Sequence, residues 1–387
     1  MTETADIVIV GGGCMGASVA FHLARHGAGR VVLLEKEEVL GAGSTGRNAG
    51  GVRHQFSHPE NVRLSIESIA FMERFEEETG SPLDFAQDGY LFLLETEESL
   101  ETFRRNAAMQ KSLGVEVEIL GADEAAALAP GLDVTGIKGA TFCGRDGIAD
   151  PGGLTTGLSR AARARGAEVR TGVEVVGVHT RSGRVTGVET TQGRIDCPVL
   201  VNAAGPWASR LGGMASLEIP VVPYRRHIYL AAPSRSAGTA RVPDSRIMVI
   251  DFATTFYFHR EGPNVLFGMG VPDEEPTFDT SVDDAFLERV IPVATRRLPA
   301  LADAALSTTW AGLYEVTPDA MPILGEHPGC AGFFLINGFS GHGFQHAPAA
   351  GRIVADLILG RDPGLDLRPF AFERFAAKDG AGERNVV

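Results

Sequence analysis

Cysteine is scarce: four in 387 residues, and Cys14, Cys143, Cys197 and Cys330 lie far apart with no C-x-x-C pair. That spacing suggests neither a zinc cage nor a disulfide framework, and no metal is expected; it fits indifferent, buried thiols in a reducing compartment. Positive charge is also in short supply. With 35 Lys and Arg against 49 Asp and Glu the formal charge is −14, which repels a phosphate backbone and argues against a nucleic-acid partner. No apolar run reaches membrane-spanning length, and the first strand begins so early that no room is left for a signal peptide, so the expected location is the cytoplasm. The apolar fraction, 44%, and the charged fraction, 22%, are ordinary for a globular chain. A chain this long is expected to divide into two domains.

Glycine, by contrast, is abundant and placed. The β-branched run Ile7 to Val10 breaks at Gly11-Gly12-Gly13, and Ala17 to Ala24 then has helical periodicity. This is G-x-G-x-x-G in the strand–turn–helix setting it requires. Gly11 permits the tight turn, Gly13 lets backbone approach a pyrophosphate, Gly16 allows close helix packing, and Cys14 and Met15 open the helix whose free N–H groups face the phosphates. A second strand, Arg30 to Leu34, delivers Glu35 at its end, followed by Lys36. An acid there accepts from a ribose hydroxyl and repels a 2′-phosphate, which favours FAD or NAD over NADP.

The next stretch, Leu40 to Phe56, is too rich in glycine for core helix or strand. It carries Ser44, Thr45, Arg47, Asn48, Ala49, Gly50, Arg53 and His54, as a functional loop against something flat would. An amphipathic helix is expected from Asn61 to Thr79, ending near Gly80, and a helix capped by Asp150 from Leu154 to Arg165. The run Pro198 to Trp207 reads as a buried strand ending in small residues. Between residues 216 and 305 short strand-like segments recur with turns between them, as in an antiparallel sheet that could roof a pocket. The closing segments are Trp310 to Gly325 and a strand from Gly332 to Asn337, then a glycine turn and a helix starting near Ala347.

The motifs GGGCMG…LLEKE and GSTGRNAGGVRHQF, with the later WAGLYEVTPD and NGFSGHGFQHAP, resemble the FAD-dependent amine oxidoreductases of the D-amino-acid-oxidase superfamily. The branch most resembled is that of the sarcosine oxidase β-subunit, dimethylglycine dehydrogenase and proline dehydrogenase. The resemblance spans nearly the whole chain. It implies an α/β fold: a discontinuous Rossmann-type FAD-binding domain (1–82, 146–215, 306–375) and a substrate domain on a mainly antiparallel sheet (83–145, 216–305), with a flexible tail at 376–387. It also implies FAD contacts at Val173, Ala203, Ala204, Gly205, Trp207, Gly312, Leu313, Gly338, Phe339, Ser340, Gly341, His342, Gly343, Phe344 and Gln345. Arg53 would hold the substrate carboxylate as a planar fork, and Tyr257 would reach the substrate. His54, His342 and His346 are candidates for polar contacts near the ring.

The activity so implied is oxidation of the C–N bond of a secondary or N-methylated amino acid, by hydride transfer to flavin N5 and hydrolysis of the imine. Alternatives are a 2-hydroxy-acid or D-amino-acid dehydrogenase on the same fold, or a flavin-bearing electron-transfer or assembly subunit. Partner subunits are possible, and the electron acceptor is oxygen or a redox partner. Two departures matter. Where some relatives join the flavin to a cysteine this chain has Gly312, so the FAD is expected to be non-covalent. Monomeric sarcosine oxidases carry a lysine where this chain has Gln345 and another, which activates oxygen, near Leu266; both are missing here. Losing a cation beside N5 favours a dehydrogenase over an oxidase.

Overall fold

The computed structural model describes residues 3–233, 241–271, 273–376 and 382–385. In chain order the elements that build the site begin with β1 (Ile7–Val10), α1 (Cys14–Arg25), β2 (Val31–Leu34), α2 (Pro59–Glu73), β3 (Tyr90–Leu94), β4 (Glu118–Leu120) and β5 (Gly139–Cys143). Next come α3 (Pro151–Ala164), β6 (Glu168–Arg170), β7 (Val199–Asn202), β8 (Val222–Ala232), β9 (Met248–Asp251), β10 (Phe256–Glu261) and β11 (Asn264–Gly268). The last are β12 (Ala305–Val316), β13 (Ile323–Glu326), β14 (Phe333–Asn337) and α4 (Gly343–Ile358).

Six strands form one sheet in the order β6-β2-β1-β7-β14-β13, parallel except for β13. β-Branched and aliphatic runs such as Ile7-Val8-Ile9 and Val31 to Leu34 are fully buried, as a sheet covered on both faces requires. One cover is helical: α1, α3 and α4 close on Ile7, Ile9 and Leu33. Asp150 caps α3 as expected, accepting from the N–H groups of Gly152 and Gly153 at 2.9 Å each. An eight-stranded sheet, β12-β8-β11-β10-β9-β3-β5-β4, is antiparallel except where β9 runs parallel to β3. Tyr229, Phe256, Phe258 and Phe267 pack on its far face, which leaves the near face to the site.

Four features differ from the sequence reading. β12 pairs along its whole length with β8 in the eight-stranded sheet, whereas residues 306 onward were expected in the nucleotide domain. The helix expected from Asn61 to Thr79 breaks at Arg74. α4 starts at Gly343, not near Ala347, and holds Pro348 inside it. The tail does not fray throughout: Glu383 and Asn385 are buried. The Glu383 carboxylate accepts from the Ser57 N–H (2.8 Å), the Ser57 hydroxyl (2.6 Å), the His58 N–H (3.1 Å) and the Asn61 amide (2.9 Å). A charged group that gathers four donors is held in place, which explains why this polar segment packs.

Candidate active site

Between the two sheets runs one long cavity of about 560 Å³. One end is the β1–α1 turn. A Cβ on Gly11 would fall on the Ala203 carbonyl oxygen, and a Cβ on Gly16 on the Gly11 carbonyl oxygen; only glycine lets β1, α1 and β7 meet this closely. α1 has Gly13 as its N-cap with no side-chain cap, so its positive end opens into the cavity. Glu35 sits at the end of β2, its carboxylate accepting from the Gly12 N–H (2.6 Å) and the Glu37 N–H (2.9 Å).

The glycine-rich loop is tied to β12. The Ser44 hydroxyl donates to the Leu313 carbonyl (2.6 Å), the Arg47 guanidinium to the Ala311 carbonyl (2.9 Å), and the Trp310 indole to the Arg47 carbonyl (3.1 Å). Within the loop the Asn48 side chain bonds the Thr45 carbonyl and the Gly50 N–H. The position some relatives give to a flavin-linking cysteine, Gly312, has Arg47 packed against it closely enough that an added Cβ would lie 3.0 Å from that side chain.

The other end is lined from the eight-stranded sheet by Tyr90, Tyr257, Tyr314, Arg226, Ile228 and Ile250. Burial pushes the Tyr257 phenol well above its ordinary value, so it keeps its proton and serves as a hydrogen-bond donor.

Most residues named from the sequence line this cavity, from Gly11, Cys14 and Glu35 through Val173 and Trp207 to Phe339, His342 and Gln345. Gly16, Gly50 and Gly338 stand behind the wall and shape it; His54 does not line it either. The His54 ring turns to Asp146, with Nδ1 2.6 Å from Oδ1. Asp146 also accepts from the His54 N–H (2.8 Å) and the Gln55 amide (3.2 Å), so this pair pins the loop from below. Cys143 lies 4.0 Å from the same ring nitrogen. Together the three could present ligand atoms to a metal, but the Asp146 oxygens are already engaged by hydrogen bonds.

Arg53 reaches the cavity wall, but its guanidinium is committed. It donates to the Gln55 carbonyl (2.6 Å) and to the Asn385 carbonyl, and stacks 3.9 Å over the Phe56 ring. Gln345 accepts from the Arg53 backbone N–H at 2.7 Å, a bond that the lysine of some relatives could not make.

His342 and His346 form a chain with one direction. His342 Nε2 donates to the Ala320 carbonyl (3.1 Å), leaving its Nδ1 to accept from His346 Nδ1 (3.1 Å), whose Nε2 accepts from the Ser65 hydroxyl (2.9 Å). Burial holds both imidazoles neutral, His342 down to about 4.

Three groups escaped the sequence reading: Arg226, Glu315 and the Glu383–Asn385 segment. Alternation along β8 could have pointed to Arg226, since Tyr224, Arg226 and Ile228 share a face. Glu315 lines the cavity near Gly205 and Cys14; burial raises its carboxyl to about 7, and its Oε2 is out of contact with water and meets no hydrogen-bond partner.

These donors fit an extended dinucleotide: an open helix end for phosphates, an acid for ribose, and a broad slot between the loop and the Gly338 to Gly343 turn for a flat ring. The unpartnered Oε2 of Glu315 faces the same space.

The family model described as FAD dependent oxidoreductase (DAO) matches residues 6–357. The chain is similar to FAD-dependent oxidoreductase domain-containing protein 1 of Xenopus laevis, 32% identical over 100% of this chain and 85% of that one. It is similar also to the mitochondrial sarcosine dehydrogenase of Mus musculus, 32% identical over 97% of this chain but only 42% of the relative. Among solved structures, L-proline dehydrogenase from P. horikoshii matches with a TM-score of 0.89 at 34% identity, over 98% of this chain and 100% of that chain.

Proposed function

The chain belongs to the DAO family of FAD-dependent oxidoreductases, and from that premise we propose that it oxidises the C–N bond of a secondary or N-methylated amino acid of the sarcosine, dimethylglycine or proline kind. The observation that carries this reading is the far end of the cavity, where an arginine and three tyrosines face inward from an apolar wall. A small zwitterion fits such a lining: a cation for its carboxylate, phenols for its polar edge, Ile228 and Ile250 for its carbon skeleton. FAD, when bound, supplies the hydride acceptor.

The residues orient and exclude. Tyr257 keeps its proton and donates. His342 remains neutral, so no imidazolium competes for the carboxylate. The substrate amine gives its proton to solvent before oxidation, since among the described residues no side chain at this end is poised as a base. Named relatives that act on sarcosine and proline support the substrate class.

The test is anaerobic mixing of the FAD-loaded protein with sarcosine, dimethylglycine, L-proline, D-amino acids and 2-hydroxy acids. Bleaching of the flavin by the first three, with formaldehyde from the methylated ones, is the expected result. Bleaching by hydroxy acids alone would favour an alcohol substrate, and no bleaching would favour an electron-transfer or assembly role. With Gln345 where some relatives carry lysine, and no lysine near Leu266, reoxidation in air is expected to be slow, and completion within milliseconds would mark an oxidase.

A further inference from the structure

The cation expected to hold the substrate carboxylate, Arg53, has its guanidinium fastened to the Gln55 and Asn385 carbonyls and laid on Phe56. Arg226 is placed differently. In β8 it stands opposite Gly312 of β12, and directly opposed residues project to the same side of a sheet. That side is the one on which an added Cβ at Gly312 would meet Arg47, the flavin-loop side. Two residues along, Ile228 stands opposite Gly268, and Gly268 in turn opposite Tyr257 of β10. A Cβ on Gly268 would collide with the Tyr257 phenol. Arg226 and Ile228 thus follow one another along β8 on the cavity face, Tyr257 lies on that face across Gly268 from Ile228, and the Arg226 guanidinium lies 5.1 Å from the centre of the Tyr314 ring.

Its hydrogen bonding is incomplete. NH1 donates to the Arg225 carbonyl (2.8 Å), while Nε is out of contact with water and meets no acceptor among the described residues. The adjacent Arg225 is paired with Glu274 (3.2 Å) and Asp279 (3.3 Å), whereas no acid pairs with Arg226 among the described residues. A guanidinium held on this face with an unused donor lacks an anion.

We propose that Arg226 binds the carboxylate of the substrate, and that Arg53 is a positioning residue which anchors the loop to the carboxy-terminal segment. This rests on the amino-acid reading above and adds the identity of the anchor. A planar carboxylate offers two oxygens to the fork, and the Tyr257 phenol stands on the same face of the sheet.

The test compares sarcosine, dimethylglycine and L-proline with their primary amides in anaerobic flavin reduction by the FAD-loaded protein. In the unaltered chain the acids are expected to exceed the amides by about 100-fold in apparent affinity, the scale of a desolvated charge-assisted contact. In Arg226→Met, with FAD content confirmed from absorbance, that preference collapses to within a few-fold. Arg226→Lys keeps the charge without the fork and retains part of it. Arg53→Met lowers thermal stability yet keeps the acid-over-amide preference. A preference undiminished in Arg226→Met, or one lost in Arg53→Met alone, overturns the assignment while leaving the amino-acid reading intact. Failure of every acid to reduce the unaltered protein defeats that reading, and the assignment with it.

Discussion

At the scale of single residues, the side chains that matter are those whose hydrogen bonds are either all spent or left open. Gln345 spends its bonds: its carbonyl oxygen holds the Arg53 N–H and its amide contacts His346 at 3.3 Å. Gln345→Leu would bury that N–H without an acceptor, so it is expected to lower the unfolding free energy by about 2 kcal/mol, measured by denaturant titration. Glu315 leaves a bond open. Because burial lifts its carboxyl to about 7, it is neutral below that pH and can donate to a phosphate or hydroxyl oxygen of the cofactor. Its contribution is present in the acid range and lost as pH rises through about 7, when a carboxylate would face the phosphates. Retention of FAD is therefore expected to weaken from pH 6 to pH 8, and Glu315→Gln to flatten that profile, as followed by equilibrium dialysis.

At the scale of elements, the β1–α1–β2 unit was legible because each cue is local: a β-branched run, glycines at fixed offsets, a helical period, a terminal acid. It is also the unit least able to change. Gly16→Ala would set a methyl on the Gly11 carbonyl oxygen, forcing α1 away from β1, and is expected to weaken FAD binding at least about tenfold by fluorescence titration. Other elements depend on partners distant in sequence. The start of α4 at Gly343 was hidden behind glycines and Pro348, which read as helix breakers; the helix persists because Phe344 and Ala347 to Ala350 pack into the core. Arg226 was missed because alternation along β8 groups it with Tyr224 and Ile228 without saying which face of the strand meets the cavity, and that depends on register with β12 and β11. His54 was misplaced for the same reason: Asp146, which turns it aside, lies 92 positions away.

At the scale of the whole molecule, the segment 382–385, whose composition reads as solvent-exposed tail, ties Arg53, Ser57 and Asn61 to Asp319 and Asn106. Burial alone would raise the Glu383 carboxyl, but the donors from Ser57 and Asn61 outweigh it and hold the group below the usual carboxylate range. A lowered carboxyl adds stability above its unfolded value, and that stability is lost as pH falls through the folded one. Acid unfolding monitored by circular dichroism is thus expected to begin at higher pH in the unaltered chain than its loss of charge elsewhere would explain. Glu383→Gln is expected to be less stable near neutrality by about 2 kcal/mol and to lose less on acidification. No described helix is long and apolar enough to cross a membrane.

All four cysteines are buried, and burial raises each thiol, Cys14 to about 11 and Cys197 to about 12. A thiol that stays protonated and shielded does not meet an alkylating reagent until its surroundings come apart. The native protein is consequently a silent background for maleimide chemistry: its own sulfurs act as a clock for opening, and a single engineered surface cysteine would carry a dye alone.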